Sequence, residues 1–376
     1  MTRRSVVLAA GGTGGHLFPA EALASELLAR EIRVHLLSDE RADAIALRLV
    51  GVETHRVRVG QFGGGPGQAV RALVELALGA IQAREVLRQL APTVVIGFGG
   101  YPSVPTMLAA TYLRLPTLVH EQNAVLGRAN RLLAPRARRI ATSFAATTGL
   151  RLADRIRAVH TGNPVRPAVL AVDSAGYQAP RASRPIELLI MGGSQGARVL
   201  SEVVPLALRA LPEGLRTVLR VSQQVRPEDI ATVKEIYRRT GIAADVGTFF
   251  DDVPARLARA HLAICRAGAS SMAELAAIGR PAVLIPYPHA TDDHQTANAR
   301  AFAEAGGGWV IPQSGFSPST FSRFLDRLLA DGAALSAAAG HAHVFGRRDA
   351  TQRLARLAFD LIPGAGHSSE FQGRAA

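Results

Sequence analysis

The sequence predicts an α/β protein made of two domains, each built around a parallel sheet. Short apolar runs rich in Val, Leu and Ile alternate with helix-like runs along the 376 residues. Many of these runs lack the apolar–polar alternation of a half-exposed sheet, as expected for parallel strands that helices cover on both faces. The length is sufficient for two domains with separate cores.

The predicted strands form two sets, separated by a segment rich in Pro, Ala and Ser at 163–185 that we interpret as the connection between the domains. The first set comprises 5–10, 32–37, 54–59, 93–96, 116–119, 139–142 and 157–160. The second set comprises 186–191, 216–221, 243–247, 261–264, 281–285 and 308–311. We therefore expect a first domain over 1–163, a second domain over 164–347, a final amphipathic helix over 348–362 and a disordered tail over 363–376.

Three glycine-rich turns each follow a predicted strand and open a predicted helix: GGTGGH (11–16), GFGGYP (97–102) and GGSQGA (192–197). A helix that starts after such a turn presents unpaired backbone N–H groups and roughly half a positive charge to an anion. The turns therefore predict two domains that face a phosphate-bearing ligand. The alternative is that the glycines only let helix and strand pack closely.

The turns do not match the usual nucleotide fingerprints. A dinucleotide-binding turn needs Gly or Ala where this chain has Leu17 and Pro102, and no turn is followed by the Lys-Ser or Lys-Thr of a P-loop. These departures disfavour a dehydrogenase or a P-loop NTPase. They leave open a nucleotide diphosphate held by backbone amides.

The charge distribution predicts a polyanionic partner. Lys and Arg outnumber Asp and Glu by 43 to 30, and arginines are concentrated between Arg128 and Arg157, where Asp154 is the only acid. Such an asymmetry is typical of proteins that bind nucleic acid or an anionic lipid surface. An arginine-rich composition without any partner is the alternative.

The helix expected at 69–90 carries more apolar residues than one buried face needs. Four residues are expected to face the core: Val70, Leu73, Ala77 and Ile81. Leu76 and Ala80 then point elsewhere, and arginines flank the apolar part of the helix. Excess apolar surface rimmed by arginine is typical of membrane contact, and a fully buried helix is the alternative.

Composition favours a cytoplasmic protein. No apolar stretch approaches the roughly 18 to 20 residues of a membrane span, and the short apolar run after the basic N-terminus is not that of a signal peptide. The single cysteine, Cys265, excludes an internal disulfide framework and fits a reducing compartment.

Five further strings carry polar side chains on loops that follow predicted strands. They are HEQNAVLGRANR (120–131), GNPVR (162–166), TFFDDV (248–253), CRAGASSMAEL (265–275) and TDDHQTANA (291–299). Open parallel sheets bind ligands at the carboxyl ends of their strands. We therefore expect these loops to line one cleft between the domains.

Together with the three glycine-rich turns, these strings resemble the MurG family in order and spacing, over essentially residues 5–360. The resemblance implies the GT-B architecture, in which two Rossmann-like domains with parallel sheets face a deep cleft and a final helix crosses back to the first domain. It implies transfer of N-acetylglucosamine (GlcNAc) from UDP-GlcNAc to undecaprenyl-pyrophosphoryl-MurNAc-pentapeptide, called lipid I, which forms lipid II.

The resemblance also implies a location and a cofactor requirement. The expected location is the cytoplasmic face of the inner (plasma) membrane, where the protein binds the anionic membrane surface peripherally and has no nucleic-acid partner. Neither a metal nor another cofactor is expected for the transfer, since helix dipoles and side chains stabilise the leaving pyrophosphate.

The resemblance assigns the donor mainly to the second domain. Phe250 falls where a backbone contact recognises uracil, Glu274 where a carboxylate accepts both ribose hydroxyls, and Gln295 where a side chain reads GlcNAc hydroxyls. Ser194 and Arg166 fall at or beside the phosphates. The residues expected to wrap the nucleoside are Ala269, Ser270, Ser271, Met272, Ala273 and Glu274. The family often has an aliphatic residue where this chain has Phe250, so that assignment rests on the backbone alone.

The first domain is implied to contribute to both substrates. Thr13, Gly14 and Gly15 are expected to approach the donor phosphates and the acceptor. Asn123 is expected to reach the donor sugar.

The implied transfer replaces an α-linked UDP by a β-linked acceptor oxygen in one inverting displacement. Such a step needs a base for the acceptor hydroxyl and charge stabilisation for UDP. His16 is the candidate base because it ends the first glycine-rich turn and titrates near neutral pH, and Glu121 is the reserve. The alternatives are that His16 binds a phosphate or caps the helix and that Glu121 orients the loop at 120–131.

Competing functions are a GT-B enzyme that glycosylates diacylglycerol, a UDP-GlcNAc 2-epimerase and a basic non-enzymatic protein. The HEQN and DDHQTANA strings argue against the first, and the second needs no lipid-facing arginine patch. The third leaves the converging polar strings unexplained. Asp292 and Asp293 are interpreted as a helix cap or solvated loop and not as a metal site.

Overall fold

The computed structural model describes residues 4–12, 14–39, 51–60, 66–172, 176–181, 184–193 and 196–362. The chain divides into two compact units: Met1–Gln122, Leu126–Pro164 and Asp349–Ala376 form the first, and Asn123–Val125 with Val165–Arg348 form the second. Each unit contains one parallel sheet, so the predicted class of two parallel-sheet α/β domains is confirmed. The tail predicted at 363–376 lies outside the described residues.

In the first unit, seven strands form a sheet in the order β3-β2-β1-β4-β5-β6-β7. They are β1 (Ser5–Ala9), β2 (Arg33–Ser38), β3 (Val52–Arg56), β4 (Val94–Gly97), β5 (Thr117–Glu121), β6 (Arg139–Thr142) and β7 (Ala158–His160). Every strand predicted for this half is found, although β3 begins and ends earlier than the predicted run at 54–59. Because β1 lies between β2 and β4, the chain order reverses there, and open α/β sheets bind ligands at such a point.

Helices cover both faces of this sheet. In the part of the chain that the structure describes, the helices between the strands of this sheet are α1 (Gly14–Leu28), α2 (Pro66–Leu90), α3 (Ser103–Tyr112), α4 (Arg128–Leu133) and α5 (Leu152–Arg155). Leu8 of β1 belongs to the core that α1 covers, whereas its neighbour Val7 belongs to the core that α2 and α3 cover. This burial on both faces explains why β1 is apolar without alternation.

The structure corrects the predicted orientation of α2. Four residues expected to face the core are exposed instead: Val70, Leu73, Ala77 and Ile81. The buried positions are Ala72, Ala83 and Leu87, and Leu76 packs partly against the core. The helix is therefore not fully buried, and its largest apolar side chains lie at the surface.

The close approach of α2 to the segment after β3 explains this orientation. A Cβ on Gly79 would lie 2.0 Å from the backbone oxygen of Arg58, and a Cβ on Gly60 would lie 2.1 Å from the backbone oxygen of Ala72. Only small residues fit where two backbones approach this closely. The larger apolar residues consequently face outward, whereas a prediction from hydrophobicity alone places them in the core. Among the helices that the structure describes, none combines the length and apolar character that a membrane crossing requires.

In the second unit, six strands form a parallel sheet in the order β10-β9-β8-β11-β12-β13. They are β8 (Ile186–Met191), β9 (Leu219–Gln224), β10 (Ala243–Gly247), β11 (Leu262–Cys265), β12 (Ala282–Leu284) and β13 (Gly308–Val310). All the strands predicted for this half are found, and β9 starts later than the predicted run at 216–221 because a short helix occupies Glu213–Arg216. The chain order reverses at β8, which lies between β9 and β11.

The helices of the second unit are α6 (Pro167–Leu170), α7 (Arg198–Arg209), α8 (Glu213–Arg216), α9 (Ile230–Thr240), α10 (Val253–Arg259), α11 (Ala269–Ile278), α12 (His294–Glu304), α13 (Pro318–Ala330) and α14 (Gly332–Phe345). Two of them, α7 and α11, are the next elements along the chain after the carboxyl ends of β8 and β11. Their N-termini therefore lie at the edge of the sheet where a ligand is expected.

The last described helix, α15 (Ala350–Phe359), belongs to the first unit. Leu354 and Ala358 lie on one face of it, since they are four residues apart. Both are buried in the same core as Leu23 and Leu27 of α1. The helix expected at 348–362 thus forms part of the core of the first unit.

Candidate active site

The first two glycine-rich turns meet because β1 and β4 are neighbours in the sheet. A Cβ on Gly11 would lie 2.8 Å from Cβ of Pro102, and a Cβ on Gly100 would lie 3.2 Å from Cε1 of His16. Gly100 also has a φ of +70°, which disfavours any other residue. The glycines thus let the half-buried His16 ring lie against the second turn.

Backbone N–H groups without helical acceptors immediately precede His16 in the first turn. Gly14 and Gly15 are the first residues of α1, where N–H groups have no acceptor within the helix. This placement suits an anion, as the sequence predicted for the turn. Thr13 lies outside the described residues, so its predicted phosphate contact stays a prediction.

A buried polar network supports the second turn. Gln122 Nε2 donates to the backbone oxygen of Phe98 at 2.8 Å and to His120 Nδ1 at 3.1 Å. His120 Nδ1 is then an acceptor, so Nε2 carries the proton and lies 3.3 Å from the backbone oxygen of Gly162. The network therefore joins the turn at 97–102 to the HEQN and GNPVR strings.

The pKa of His120 is lowered to about 4, mainly by burial and to a smaller extent by the nearby His16, whereas the hydrogen bond to Gly162 raises it. A neutral imidazole is the form that can both accept from Gln122 and donate to Gly162. His120 thus acts as a structural group, with one tautomer fixed by its two partners.

Glu121 is buried and anchors the loop that follows β5. Its Oε2 accepts the backbone N–H of Gly127 at 2.8 Å and the Nδ2 donor of Asn130 at 2.8 Å. Both donors belong to the 120–131 string. This geometry favours the alternative in which Glu121 orients the loop, rather than the role of a reserve base.

In the second unit, the N-terminus of α11 offers an anion-binding group of N–H donors. Gly268 precedes the helix without a side-chain cap, so the N–H groups of Ala269, Ser270 and Ser271 have no acceptor within the helix. The Ser270 hydroxyl oxygen is buried and has no hydrogen-bond partner among the described residues. A buried hydroxyl is seldom left without a partner, which indicates a ligand here. Met272 is buried and Ala273 is half-buried.

Glu274 of α11 forms an ion pair with Arg166, which precedes α6. Arg166 Nε donates to Glu274 Oε1 at 2.7 Å, and the Glu274 side chain is 8% exposed. Burial raises the pKa of Glu274, whereas the Arg166 charge and hydrogen bond lower it. A carboxylate has about four lone-pair sites, so this pair leaves acceptors for further donors. The sequence placed Arg166 beside phosphates and did not predict this pairing.

Asn298 of α12 is fully buried and links three site segments. Its Nδ2 donates to Asn123 Oδ1 at 3.0 Å and to the backbone oxygen of Ala267 at 3.1 Å, and its Oδ1 accepts the N–H of Ala124 at 2.8 Å. These contacts explain why Asn123–Val125 belongs to the second unit. Asn298 fixes Asn123 next to the loop that leads into α11.

Gln295 lies on α12, three residues before Asn298, and therefore on the same side of the helix. Its Oε1 accepts the backbone N–H of Tyr287 at 3.0 Å, which fixes the orientation of its amide. Asp292 and Asp293, just before α12, have φ values of +54° and +52°. Such values are uncommon for non-glycine residues and cluster at ligand-binding turns.

Phe250 is buried, with the Arg256 guanidinium 3.9 Å from the centre of its ring. Arg256 in turn contacts Asp245 at 2.6 Å and Asp252 at 2.6 Å. The Phe250 side chain is therefore enclosed by protein, which leaves its backbone as the group a base can contact. Ser194 of the third turn lies outside the described residues.

The structure thus brings the predicted residues together in two groups. His16, Gly14 and Gly15 lie at the β1 and β4 ends of the first unit, and Glu121 lies in the loop after β5. The residues grouped in the second unit are Asn123, Arg166, Phe250, Ala269, Ser270, Ser271, Met272, Ala273, Glu274 and Gln295.

Sequence reasoning missed two buried amides. Asn298 was part of the TDDHQTANA string, and its spacing of three from Gln295 was the available signal. Asn163 was part of GNPVR, and its amide is buried without a hydrogen-bond partner among the described residues.

Comparison with known proteins finds similarity over both units. Models of the glycosyltransferase family 28 N-terminal domain and C-terminal domain match residues 6–142 and 187–354. The UDP-N-acetylglucosamine--N-acetylmuramyl-(pentapeptide) pyrophosphoryl-undecaprenol N-acetylglucosamine transferase of Rhodospirillum centenum is 53% identical, over 97% of this chain and 95% of that protein. The protein of the same description from Paramagnetospirillum magneticum is 54% identical, over 95% and 97% respectively. The crystal structure of Acinetobacter baumannii MurG has a TM-score of 0.77 and 30% identity, and the match covers 95% of this chain and 99% of that one.

Proposed function

This chain belongs to the MurG family within glycosyltransferase family 28, and we propose that it transfers GlcNAc from UDP-GlcNAc to lipid I to form lipid II. The acceptor group is the 4-hydroxyl of MurNAc. The observation that carries the proposal is on α11, which holds both Ser270, whose buried hydroxyl has no partner among the described residues, and Glu274, which forms an ion pair with Arg166. These groups suit a nucleoside diphosphate.

The donor is held mainly by the second unit. Glu274 accepts the ribose hydroxyls, and the backbone of Phe250 reads uracil. The free N–H groups at the start of α11, with those of the glycine-rich turns, bind the pyrophosphate. Arg166 balances the charge of Glu274 and adds positive charge beside the phosphates. Ser194 and Thr13 would complete the phosphate contacts.

The sugar is read by two side chains that Asn298 places together. Asn123 accepts a hydrogen bond from Asn298 at its Oδ1, and Gln295 accepts the backbone N–H of Tyr287 at its Oε1. These contacts hold both amides in place, and the two side chains are the ones that the family resemblance assigns to the GlcNAc hydroxyls. A site that hydrogen-bonds each hydroxyl discriminates against an epimer in which one hydroxyl is displaced.

In the transfer, His16 removes the proton of the acceptor hydroxyl while that oxygen attacks the anomeric carbon and UDP leaves with inversion. Its half-buried position against Gly100 keeps the imidazole in one place. The helix N-termini stabilise the negative charge that develops on the leaving UDP. Their N–H groups are held by the helices, so they need not reorient during the step. Glu121 supports the loop and does not exchange a proton.

The membrane partner of this function is an anionic surface on the cytoplasmic side, bound peripherally. The exposed apolar residues of α2 support this, since Val70, Leu73 and Ile81 are 63%, 57% and 63% exposed. Exposed arginines at Arg71 and Arg88 lie on the same helix. Apolar surface with basic neighbours favours binding at an anionic lipid interface over binding to nucleic acid.

An assay of UDP release tests the proposed reaction. UDP-GlcNAc is incubated with a short-chain lipid I analogue, with diacylglycerol, or with no acceptor. We expect UDP release only with the lipid I analogue, together with a product heavier by one GlcNAc in mass spectrometry. Conversion of UDP-GlcNAc to its C2 epimer without an acceptor and without net UDP release would indicate a 2-epimerase, and UDP release with diacylglycerol would indicate the other lipid transferase. Absence of UDP-GlcNAc binding in calorimetry would contradict an enzyme of this class.

A further inference from the structure

Three potential metal ligands lie at the edge of the first sheet, away from the residues assigned to the transfer. His35 is on β2, and Glu53 and His55 are on the edge strand β3. In the parallel pairing, His35 lies beside Glu53 and Leu37 lies beside His55. Because side chains alternate along a strand, His35, Glu53 and His55 share one face of the sheet.

The ligand atoms have the separation that a tetrahedral ion requires. His35 Nδ1 lies 3.3 Å from Glu53 Oε2 and 3.3 Å from His55 Nε2, and all three atoms lie within 4.8 Å of one another. Ligands at about 2.0–2.1 Å from a tetrahedral zinc ion are roughly 3.3–3.4 Å apart. Hydrogen bonds between such atoms are usually shorter, at about 2.7–3.2 Å.

Hydrogen bonding alone does not satisfy this cluster. If His35 Nδ1 accepts a proton from His55 Nε2, its lone pair also faces the Glu53 carboxylate, and two acceptors then oppose each other. If Nδ1 instead carries the proton, one N–H serves both neighbours. A shared cation removes this conflict, because each of the three atoms can offer it a lone pair.

The surroundings suit the ligand form of the side chains. Burial lowers the pKa of His35, and His55 and Arg33 lower it too, whereas Glu53 raises it. The imidazole that binds metal is the neutral one. The Glu53 side chain is 71% exposed, so an ion can enter from solvent. Arg33 opposes a bound cation, and the Glu53 charge offsets it.

We propose that His35 Nδ1, Glu53 Oε2 and His55 Nε2 form a zinc site that joins β2 to the edge strand β3. Two imidazoles and one carboxylate are a donor set that Zn²⁺ prefers, and water completes the tetrahedron. The bound ion cross-links the outermost strand to its neighbour. This proposal does not depend on the transfer reaction.

The test uses the full chain with any histidine tag removed, because a tag binds zinc itself. Equilibrium dialysis against buffered Zn²⁺ measures stoichiometry and affinity for the wild type, Glu53→Gln and His55→Gln. Both substituted residues lie on the edge strand and are partly or fully exposed, so the fold should tolerate them. His341→Gln, which removes an exposed histidine from the second unit, is the matched control.

We expect one Zn²⁺ per wild-type chain, and at least about tenfold weaker binding in each β3 variant, since even outer-shell partners of a metal cost 10–100-fold. The control should bind as the wild type does. Co²⁺ should give the intense visible absorption of a tetrahedral site, and zinc should raise the Tm of the wild type and of the control but not of the β3 variants. Absence of stoichiometric zinc binding, or equal binding by wild type and both β3 variants, would overturn the proposal.

Discussion

Asn298 Nδ2 donates a hydrogen bond of 3.0 Å to Asn123 Oδ1 across 175 positions of the sequence. The bond is partly buried and lies within the second unit, where it joins the segment Asn123–Val125 to helix α12. Because Asn298 also contacts the backbone of Ala267, which leads into α11, one side chain positions both of the segments that we propose to read the sugar and to bind the nucleoside. Asn298 is thus a positioning residue for the proposed transfer.

Asn298→Asp should lower kcat/KM for UDP-GlcNAc by about tenfold or more, since breaking a buried hydrogen bond costs about 1–3 kcal/mol. The carboxylate keeps an acceptor for the Ala124 N–H but loses both donors, and it opposes the oxygens of Asn123 and Ala267. The affinity for free UDP in calorimetry should change little, because Asn123 is assigned to the sugar. Thr296→Val, which removes a surface bond to Asp293 on the same helix, is the control and should keep the wild-type kcat/KM. Equal losses in UDP affinity and in kcat/KM would show that Asn298 supports the structure in general and would contradict a specific role in positioning Asn123.

Removing the Glu274 carboxylate should weaken UDP and UDP-GlcNAc alike, by roughly ten- to a hundredfold, because charge-assisted hydrogen bonds are worth about 1.5–3 kcal/mol. Glu274→Gln tests this by calorimetry with both ligands. A loss confined to UDP-GlcNAc would place Glu274 at the sugar instead of the ribose.

Arg166→Ala should make UDP binding weaken as the pH falls. Without the guanidinium, nothing opposes the burial that raises the pKa of Glu274, so the carboxyl protonates at a higher pH and loses its acceptor character. Calorimetric titrations with UDP between pH 8 and pH 5.5 would show a steeper fall for Arg166→Ala than for the wild type. Arg166→Lys keeps a positive charge and should follow the wild-type profile more closely. Parallel profiles for all three proteins would contradict the coupling.

His120 should stay neutral well below pH 6. Its pKa is lowered from the ordinary histidine value of 6.5 to about 4, mainly by burial. Between these two pH values the histidine is protonated in the unfolded state and neutral in the folded state. The stability that depends on neutral His120 is therefore complete above pH 6.5 and is lost progressively toward pH 4, by roughly 3 kcal/mol in all. NMR of the imidazole carbon, assigned with His120→Gln, should show no titration between pH 8 and pH 5. A midpoint near 6.5 would show that the ring is accessible to protons.

The sequence predicts the elements well because the central strands of both sheets are buried on two faces. Runs such as the one at β1 are apolar throughout, and few other arrangements place a glycine-rich turn at the end of such a run. The two parallel sheets and the placing of the polar strings after the carboxyl ends of strands follow from these runs, whereas the order of the strands within each sheet does not. The pairings inside the site are not local, and no spacing rule reaches across 108 positions from Arg166 to Glu274.

The prediction of which residues of α2 face the core was wrong, because that orientation also depends on contacts between segments distant in the sequence. Hydrophobicity favours turning the largest apolar residues inward, but backbone proximity at Gly79 requires the small residues there. Packing between two backbones is a tertiary property, so a helical periodicity cannot indicate which of two apolar faces is buried. The exposed apolar residues of α2 are therefore the ones to change in a membrane-binding test.

Leu73→Glu combined with Ile81→Glu should reduce binding to anionic vesicles at low salt. Both side chains are more than half exposed on α2, and each glutamate removes apolar contact area and adds repulsion from the lipid headgroups. Co-sedimentation with vesicles containing phosphatidylglycerol measures the bound fraction, and added salt should weaken wild-type binding because arginines contribute about 1 kcal/mol each near the surface. Val344→Glu, which replaces an apolar residue 83% exposed in the second unit, is the matched control and should bind vesicles as the wild type does. UDP affinity should be unchanged in every variant, and equal sedimentation of the α2 double variant and the wild type would exclude α2 as the membrane-contacting surface.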